Sequence, residues 1–150
     1  MMFFYLLSVI LVIIDQMIKA WTVNHIALNE TIPFIPNLLS LHYLQNSGAA
    51  WGMLAGHMWL FIPITLLVSG LIIYYYHHDN VHHPLYVTSL SLLLAGAVGN
   101  FIDRVRLGYV VDMFKLEFMD FPVFNFADTC LSLGVIIFII YLLFFESKEE

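Results

Sequence analysis

Charge is what this chain has least of. Asp, Glu, Lys and Arg make up 11% of its 150 residues, where a soluble domain carries about 25%, while 61% are hydrophobic and the mean hydropathy is +0.89. That composition excludes a soluble globular domain and identifies an integral membrane protein. Cations are scarcer still, five against eleven acids for a formal charge of -6. No basic stripe exists, so a nucleic-acid partner is excluded, because phosphate binding needs clustered cations. A single cysteine, Cys130, rules out an intrachain disulfide and a cysteine-based zinc site, and its expected role is packing. The amino-terminal segment lacks the basic start and small-residue cleavage site of a removable signal peptide, and is expected to be a retained helix. Internal repeats and low-complexity tracts are also missing.

What is present is apolar length. A span needs ~20 residues, so the chain accommodates roughly four helices in a single integral membrane domain over residues 1–150, with spans at about 1–20, 59–76, 85–104 and 124–145. The fold class expected is an all-α membrane protein with four transmembrane helices and a small extracytoplasmic sheet or flap. Between Trp21 and His57 the apolar run gives way to Asn24, Asn29, Glu30, Pro33, Pro36 and Asn37, a loop outside the membrane. Within it Leu39, Leu41 and Tyr43 alternate with polar neighbours as in a half-buried strand. The run Asn46-Ser47-Gly48-Ala49-Ala50-Trp51-Gly52 lets a backbone lie close to another surface, with tight helix packing as the plainer explanation. Trp51 and Trp59 suit a headgroup belt. Pro63 falls near the start of the second span, where a missing N–H is tolerated.

Four histidines in His77-His78-Asp79-Asn80-Val81-His82-His83 invite a metal-site reading. The segment is a brief connection without an identifiable supporting shell, and reads as a solvated turn. His25, His42 and His57 show no ligand spacing, and no metal or other cofactor is expected. Ala95 and Gly99, four apart in the third span, form a small-residue face for a neighbouring helix. Beyond it, Val110, Asp112, Phe114, Leu116 and Phe118 alternate with Tyr109, Val111, Met113, Lys115 and Glu117 as a short strand that puts Asp112 on its apolar side. Desolvation there raises a carboxyl pKa.

Ionisable groups within apolar sequence carry the functional signal, because each costs about 2.5–3.5 kcal/mol at the bilayer centre on insertion scales. Asp15 and Lys19, four apart on one helical face, form either a snorkelling lysine with its counter-ion or a pair that shapes a site. Asn100, Asp103 and Arg104 share a face at the end of the third span. Asp103 is expected to pair with Arg104 or Arg106 and to orient the residues that follow. Asn125 and Asp128 are helical neighbours, and the plain reading of Asp128 is an acid favoured by the helix dipole. Asp112 and Asp128, at the edges of apolar elements, are the raw material for general acid and base chemistry on a lipid-embedded substrate. The competing class is a small proton- or ion-coupled transporter, which needs polar residues at mid-span, whereas the second span is nearly devoid of ionisable groups. A noncatalytic scaffold is the third. Four spans put both termini on one side, with the acids and the first loop on the other; Lys19, Arg104, Arg106 and Lys115 beside the acids would by the positive-inside rule put that side in the cytoplasm.

Five blocks occur in order: Asp15-Gln16-x-x-Lys19, Asn46-x-Gly48-Ala49-Ala50-Trp51-Gly52, Gly99-Asn100-x-x-Asp103-Arg104, Val110-Val111-Asp112 and Phe124-Asn125-x-Ala127-Asp128. Together they resemble the bacterial lipoprotein signal peptidases, or signal peptidase II, with Met113 a small departure where an aromatic residue is common. The resemblance implies a four-helix intramembrane aspartic endopeptidase that needs no metal and cleaves prolipoproteins just before a cysteine carrying a diacylglyceryl group. It implies Asp112 and Asp128 as the catalytic dyad, Asn46, Gly48, Asn100, Asp103, Arg104 and Asn125 as substrate-binding or site-supporting residues, and Asp15 with Lys19 as a structural pair. The expected partners are the diacylglyceryl-modified precursor and membrane lipid, and the enzyme is expected to be a monomer. Its expected location is the bacterial cytoplasmic (inner) membrane, with both termini cytoplasmic and the active site near the outer face, against the loop-charge rule.

Overall fold

The computed structural model describes residues 2–48, 58–79 and 83–146. Four helices among them, α1 (Met2–His25), α2 (Met58–His78), α3 (Pro84–Leu107) and α4 (Phe126–Phe144), are long and apolar enough to cross a membrane. Three strands, β1 (Thr31–Ile35), β2 (Leu39–Asn46) and β3 (Val110–Leu116), form one antiparallel sheet in the order β1-β2-β3. This is the expected class: a membrane helical bundle with a small sheet.

α3 is the hub, packing against the other three helices. Its small residues permit the approach. A methyl group added to Gly99 would lie 2.7 Å from Asp15 Oδ2 and 3.1 Å from Ala127 Cβ, so α1 and α4 both close on that position. Gly96 is similarly pressed against the Ala127 carbonyl and Leu131. α2 lies at the other extreme: it packs chiefly on α3, and Leu66, Leu67 and Leu71 are exposed. A helix that is apolar all round and exposed presents that surface to lipid. Near one end of the bundle Phe4, Ile72, Tyr86, Leu90, Leu94 and Tyr141 form a core; near the other, Ile26, Tyr43, Val111 and Met113 pack between α1 and the sheet.

Several expectations need correction. α1 runs on through Trp21 to His25, a stretch whose polar composition predicts a loop; its last turns hold Thr22 inward and Ile26 just beyond them is buried, so tertiary burial outweighs the local polarity. In β2 the simple alternation fails, because a bulge between Leu41 and Leu44 shifts the register and buries Ser40 and Tyr43. β3 stops at Leu116, and Val110 through Met113 are all buried, since the sheet is covered on both sides at that end. Pro63 sits inside α2, past its first turn, where it forgoes the bond to the Trp59 carbonyl. Of the histidine segment, His77 and His78 close α2, with Tyr5 Oη 2.7 Å from His77 Nε2, and His83 caps α3, accepting from Leu85 N. Trp59 is exposed, while Ala49, Ala50, Trp51, Gly52 and His82 lie outside the described residues.

Candidate active site

The pairing of β2 with β3 sets Leu44 opposite Asp112 and Asn46 opposite Val110, which carries the Asn46 side chain to the Asp112 carboxylate. Beyond β3 the chain doubles back, and Phe114 N donates to the Phe124 carbonyl at 2.7 Å. That bridge delivers Asn125 as the N-cap of α4. Asn125 Oδ1 accepts from Asp128 N at 2.9 Å while Asp128 Oδ2 accepts from Asn125 N at 3.1 Å, a reciprocal capping box. The spacing that reads as a helix-dipole acid thus also aims Asp128 backward, toward β3.

The result is two carboxylates from separate elements, each held among the described residues by amides. Asp112 Oδ1 accepts from Asn125 Nδ2 at 2.7 Å and Oδ2 from Asn46 Nδ2 at 2.9 Å. Asp128 Oδ1 accepts from Asn100 Nδ2 at 2.7 Å, and its Oδ2 takes the cap N–H. Every carboxylate oxygen of the pair therefore has one N–H donor. Asp112 is 1% exposed. Burial first, and the Asp128 charge second, push its carboxyl up to about 7, against the lowering effect of the Asn46 and Asn125 donors.

The amides are themselves aimed. Asn100 Oδ1 faces two donors, Lys19 Nζ and Asn125 Nδ2, both at 3.0 Å, so its Nδ2 is the atom left to face Asp128. Gly48 N donates to Asn46 Oδ1 at 2.9 Å, which likewise turns Asn46 Nδ2 toward Asp112. Thr129 Oγ1 adds a bond to the Asn125 carbonyl.

Behind this layer lies a charged knot. Lys19 Nζ sits 2.9 Å from Asp15 Oδ2 and 3.0 Å from Asp103 Oδ2, with all three residues buried. Snorkelling is thereby corrected: the ammonium points into the bundle, not out to the interface. The pairing of Asp103 with Arg104 or Arg106 is corrected too, since its ion-pair partner is Lys19; the short arginine spacing on α3 lost to a lysine that helix packing brings across from α1. Asp103 Oδ2 also accepts from Val111 N at 3.0 Å, and Asp15 Oδ1 from Ala127 N at 2.9 Å, so the knot grips β3 and the first turn of α4. Gln16 went unassigned in the sequence reading although it lies within the first block. Its Nε2 donates to Asp15, Asp103 and the Gly99 carbonyl; a lone amide in an apolar helix was the available signal.

Asn46, Gly48, Asn100, Arg104, Asp112 and Asp128 all line one cavity of about 610 Å³ that also reaches Thr65 and Val68 of α2 and Leu131 of α4. Arg104 lies over the Phe61 ring at 4.9 Å, and its buried Nε has no hydrogen-bond partner among the described residues. Asp103 and Asn125 stand behind the wall, while Asp15 and Lys19 lie deeper. Among the described residues no group of three or more His, Cys, Asp or Glu side chains is gathered as a metal site.

A family model described as signal peptidase (SPase) II matches residues 7–144. The chain belongs to the signal peptidase II family. It is 51% identical over 147 residues to a lipoprotein signal peptidase of Enterococcus faecalis, covering 98% of this chain and 91% of that one. A lipoprotein signal peptidase of Latilactobacillus sakei is 47% identical over 144 residues, with 95% of each chain covered. A solved structure described as a bacterial membrane enzyme superposes with a TM-score of 0.93 at 38% identity, over 100% of this chain and 93% of that one. Membership in signal peptidase II makes the chain a peptidase, hence a hydrolase, and a bacterial multi-pass membrane protein.

Proposed function

We propose that this signal peptidase II removes signal peptides from diacylglyceryl-modified prolipoproteins, cutting before the lipidated cysteine by aspartic chemistry at Asp112 and Asp128. One observation carries the reading. A buried carboxylate on β3 and a half-buried one on α4, joined through Asn125 and met by amide donors among the described residues, face a cavity at the end of a membrane-spanning bundle. Like charges so placed do not both ionise readily, so the pair holds one proton. In this reading Asp112, whose proton affinity is raised by burial and by the Asp128 charge, is taken as the holder at rest.

Asp128 then deprotonates a water that attacks the scissile carbonyl, while the Asp112 proton goes to the developing oxyanion. As the tetrahedral intermediate collapses the carbon–nitrogen bond breaks, the amine leaves with a proton from Asp128, and Asp112 recovers its own. Each acid or base step contributes ~10² to 10⁴ in rate. Arg104, with a buried donor unpaired at the cavity, is suited to bind a substrate carbonyl oxygen. The lipid explains the location: burial of acyl methylenes contributes about 0.8 kcal/mol each and holds the modified cysteine at a fixed depth.

In this reading the domain is the single unit 1–150, acting as a monomer in the cytoplasmic membrane with both termini inside and the sheet and dyad near the outer face. The test is incubation of the purified protein with a lipidated precursor peptide. The expected product is cut on the amino side of the modified cysteine, and the same peptide without lipid is a poor substrate. Equal processing of both, or a cut elsewhere, would overturn the assignment.

A further inference from the structure

Two cavities open between α2 and α4, and Val68 lines both. The first holds the carboxylate pair. The second, about 810 Å³, continues along the same two helices toward their opposite ends. Its walls are apolar, with Leu71, Ile72, Leu90, Leu93, Phe138 and Leu142. At its end are two exposed acids, Asp79 and Glu146. Tyr86 Oη donates to Asp79 Oδ2 at 2.7 Å, and His78 Nδ1 lies 3.3 Å from Oδ1, which fixes that carboxylate in position. The cleft between α2 and α4 is therefore a trough, greasy along its length, with the reacting groups near one end and anionic groups at the other.

We propose that the acidic end of this trough docks the basic amino-terminal region of the signal peptide, with Asp79 and Glu146 as its contacts. The inference rests on the cleavage reading above. Two properties of the trough select this occupant. A signal peptide runs from a cationic start through an apolar stretch to its cut site, the order of chemistry that the trough complements from Glu146 back to Asp128. Length agrees as well. Asp128 and Glu146 are eighteen positions apart along and just beyond α4, about 27 Å at 1.5 Å per residue. A helical signal peptide of about 18 residues, within the usual range of roughly 15–30, reaches from the dyad to those acids.

The test uses the full-length protein in lipid nanodiscs and a lipidated precursor peptide with three lysines near its amino terminus, compared with the same peptide carrying glutamines there. Charge reversal of both acids, Asp79→Lys with Glu146→Lys, is expected to raise KM for the lysine peptide about fivefold to tenfold, the size of one or two interfacial ion pairs, with kcat within about twofold. A peptide with glutamates in place of the lysines should recover the lower KM on the reversed enzyme. Because Asp79→Lys also loses the Tyr86 bond, Glu146→Lys alone is included, with about a twofold to threefold rise expected. A KM indifferent to the charge of either partner overturns the proposal and leaves the trough to bilayer lipid, with the cleavage reading intact. Failure of the unaltered enzyme to cut any lipidated peptide would instead count against the cleavage reading itself.

Discussion

Two sets of aspartates occupy the same end of this bundle and differ in what faces them. Asp15 and Asp103 close on the Lys19 ammonium at 2.9 and 3.0 Å. Asp112 and Asp128 receive amide N–H groups, and among the described residues neither forms an ion pair with a lysine or arginine. An ammonium between two carboxylates offsets part of their charge and ties α1 to α3, with Asp103 carrying the link on to β3. Neutral amides orient carboxylates without quenching their capacity to exchange a proton. The comparison teaches that burial alone does not distinguish the two sets; the identity of their donors does, and the proposed chemistry rests on that difference. Lys19 connects the two sets, since it also positions the Asn100 amide that serves Asp128.

The sharpest way to break that division is substitution without change of shape. Asp112→Asn or Asp128→Asn is expected to slow single-turnover cleavage of a lipidated precursor by about 10⁴-fold or more, because both steps of proton transfer fail. Retention of a rate within tenfold of the parent in either variant would erase the distinction between the sets.

Next in size is the effect on stability of emptying the knot. Lys19→Met leaves two buried acids without their ammonium and is expected to destabilise the fold by about 3–5 kcal/mol, read as earlier thermal unfolding in detergent. Adding Asp15→Asn and Asp103→Asn should recover much of that loss. If Lys19→Met unfolds like the parent, the knot is not what holds α1, α3 and β3 together.

The smallest effect is on pH. Asp112 is raised to about 7 by burial and by Asp128, so under the proposed mechanism its proton is held below about pH 7 and lost above. The rate, followed as kcat/KM, should fall about tenfold per pH unit on that alkaline side. Stability moves with the same proton. The folded protein retains it where the unfolded chain, with an ordinary carboxyl pKa of 3.8, has released it. Between about pH 4 and 7 the folded state binds more protons, so stability declines as pH rises through that window and levels off above it. Asp112→Asn should remove this slope, and a slope unchanged by the substitution would assign it to another group.

Much of this was readable in advance because hydrophobic periodicity and polar exceptions are local. The four spans are runs of apolar residues, and membrane backbone has few alternatives to helix. Asp112 and Asp128 stand out as acids beside such runs, and Asn125 three residues before Asp128 carries its capping partner in the sequence. What misled was also local. Arg104 and Arg106 are the nearest cations to Asp103 along the chain, yet Lys19, more than eighty residues away, is the one that reaches it. Alternation in β2 and β3 promised a half-exposed sheet, but a bulge and the covering elements buried both sides of Val110 to Met113.

By itself, then, the sequence determined the solvent this protein folds in, the number of its helices and which acids are out of place in them, because each follows from the transfer energy of short segments. Only the tertiary structure decided which acid meets an ammonium and which meets an amide. That choice depends on the register of β2 on β3 and on how closely Gly96 and Gly99 let α1 and α4 approach α3, both of which are contacts between residues far apart in the chain.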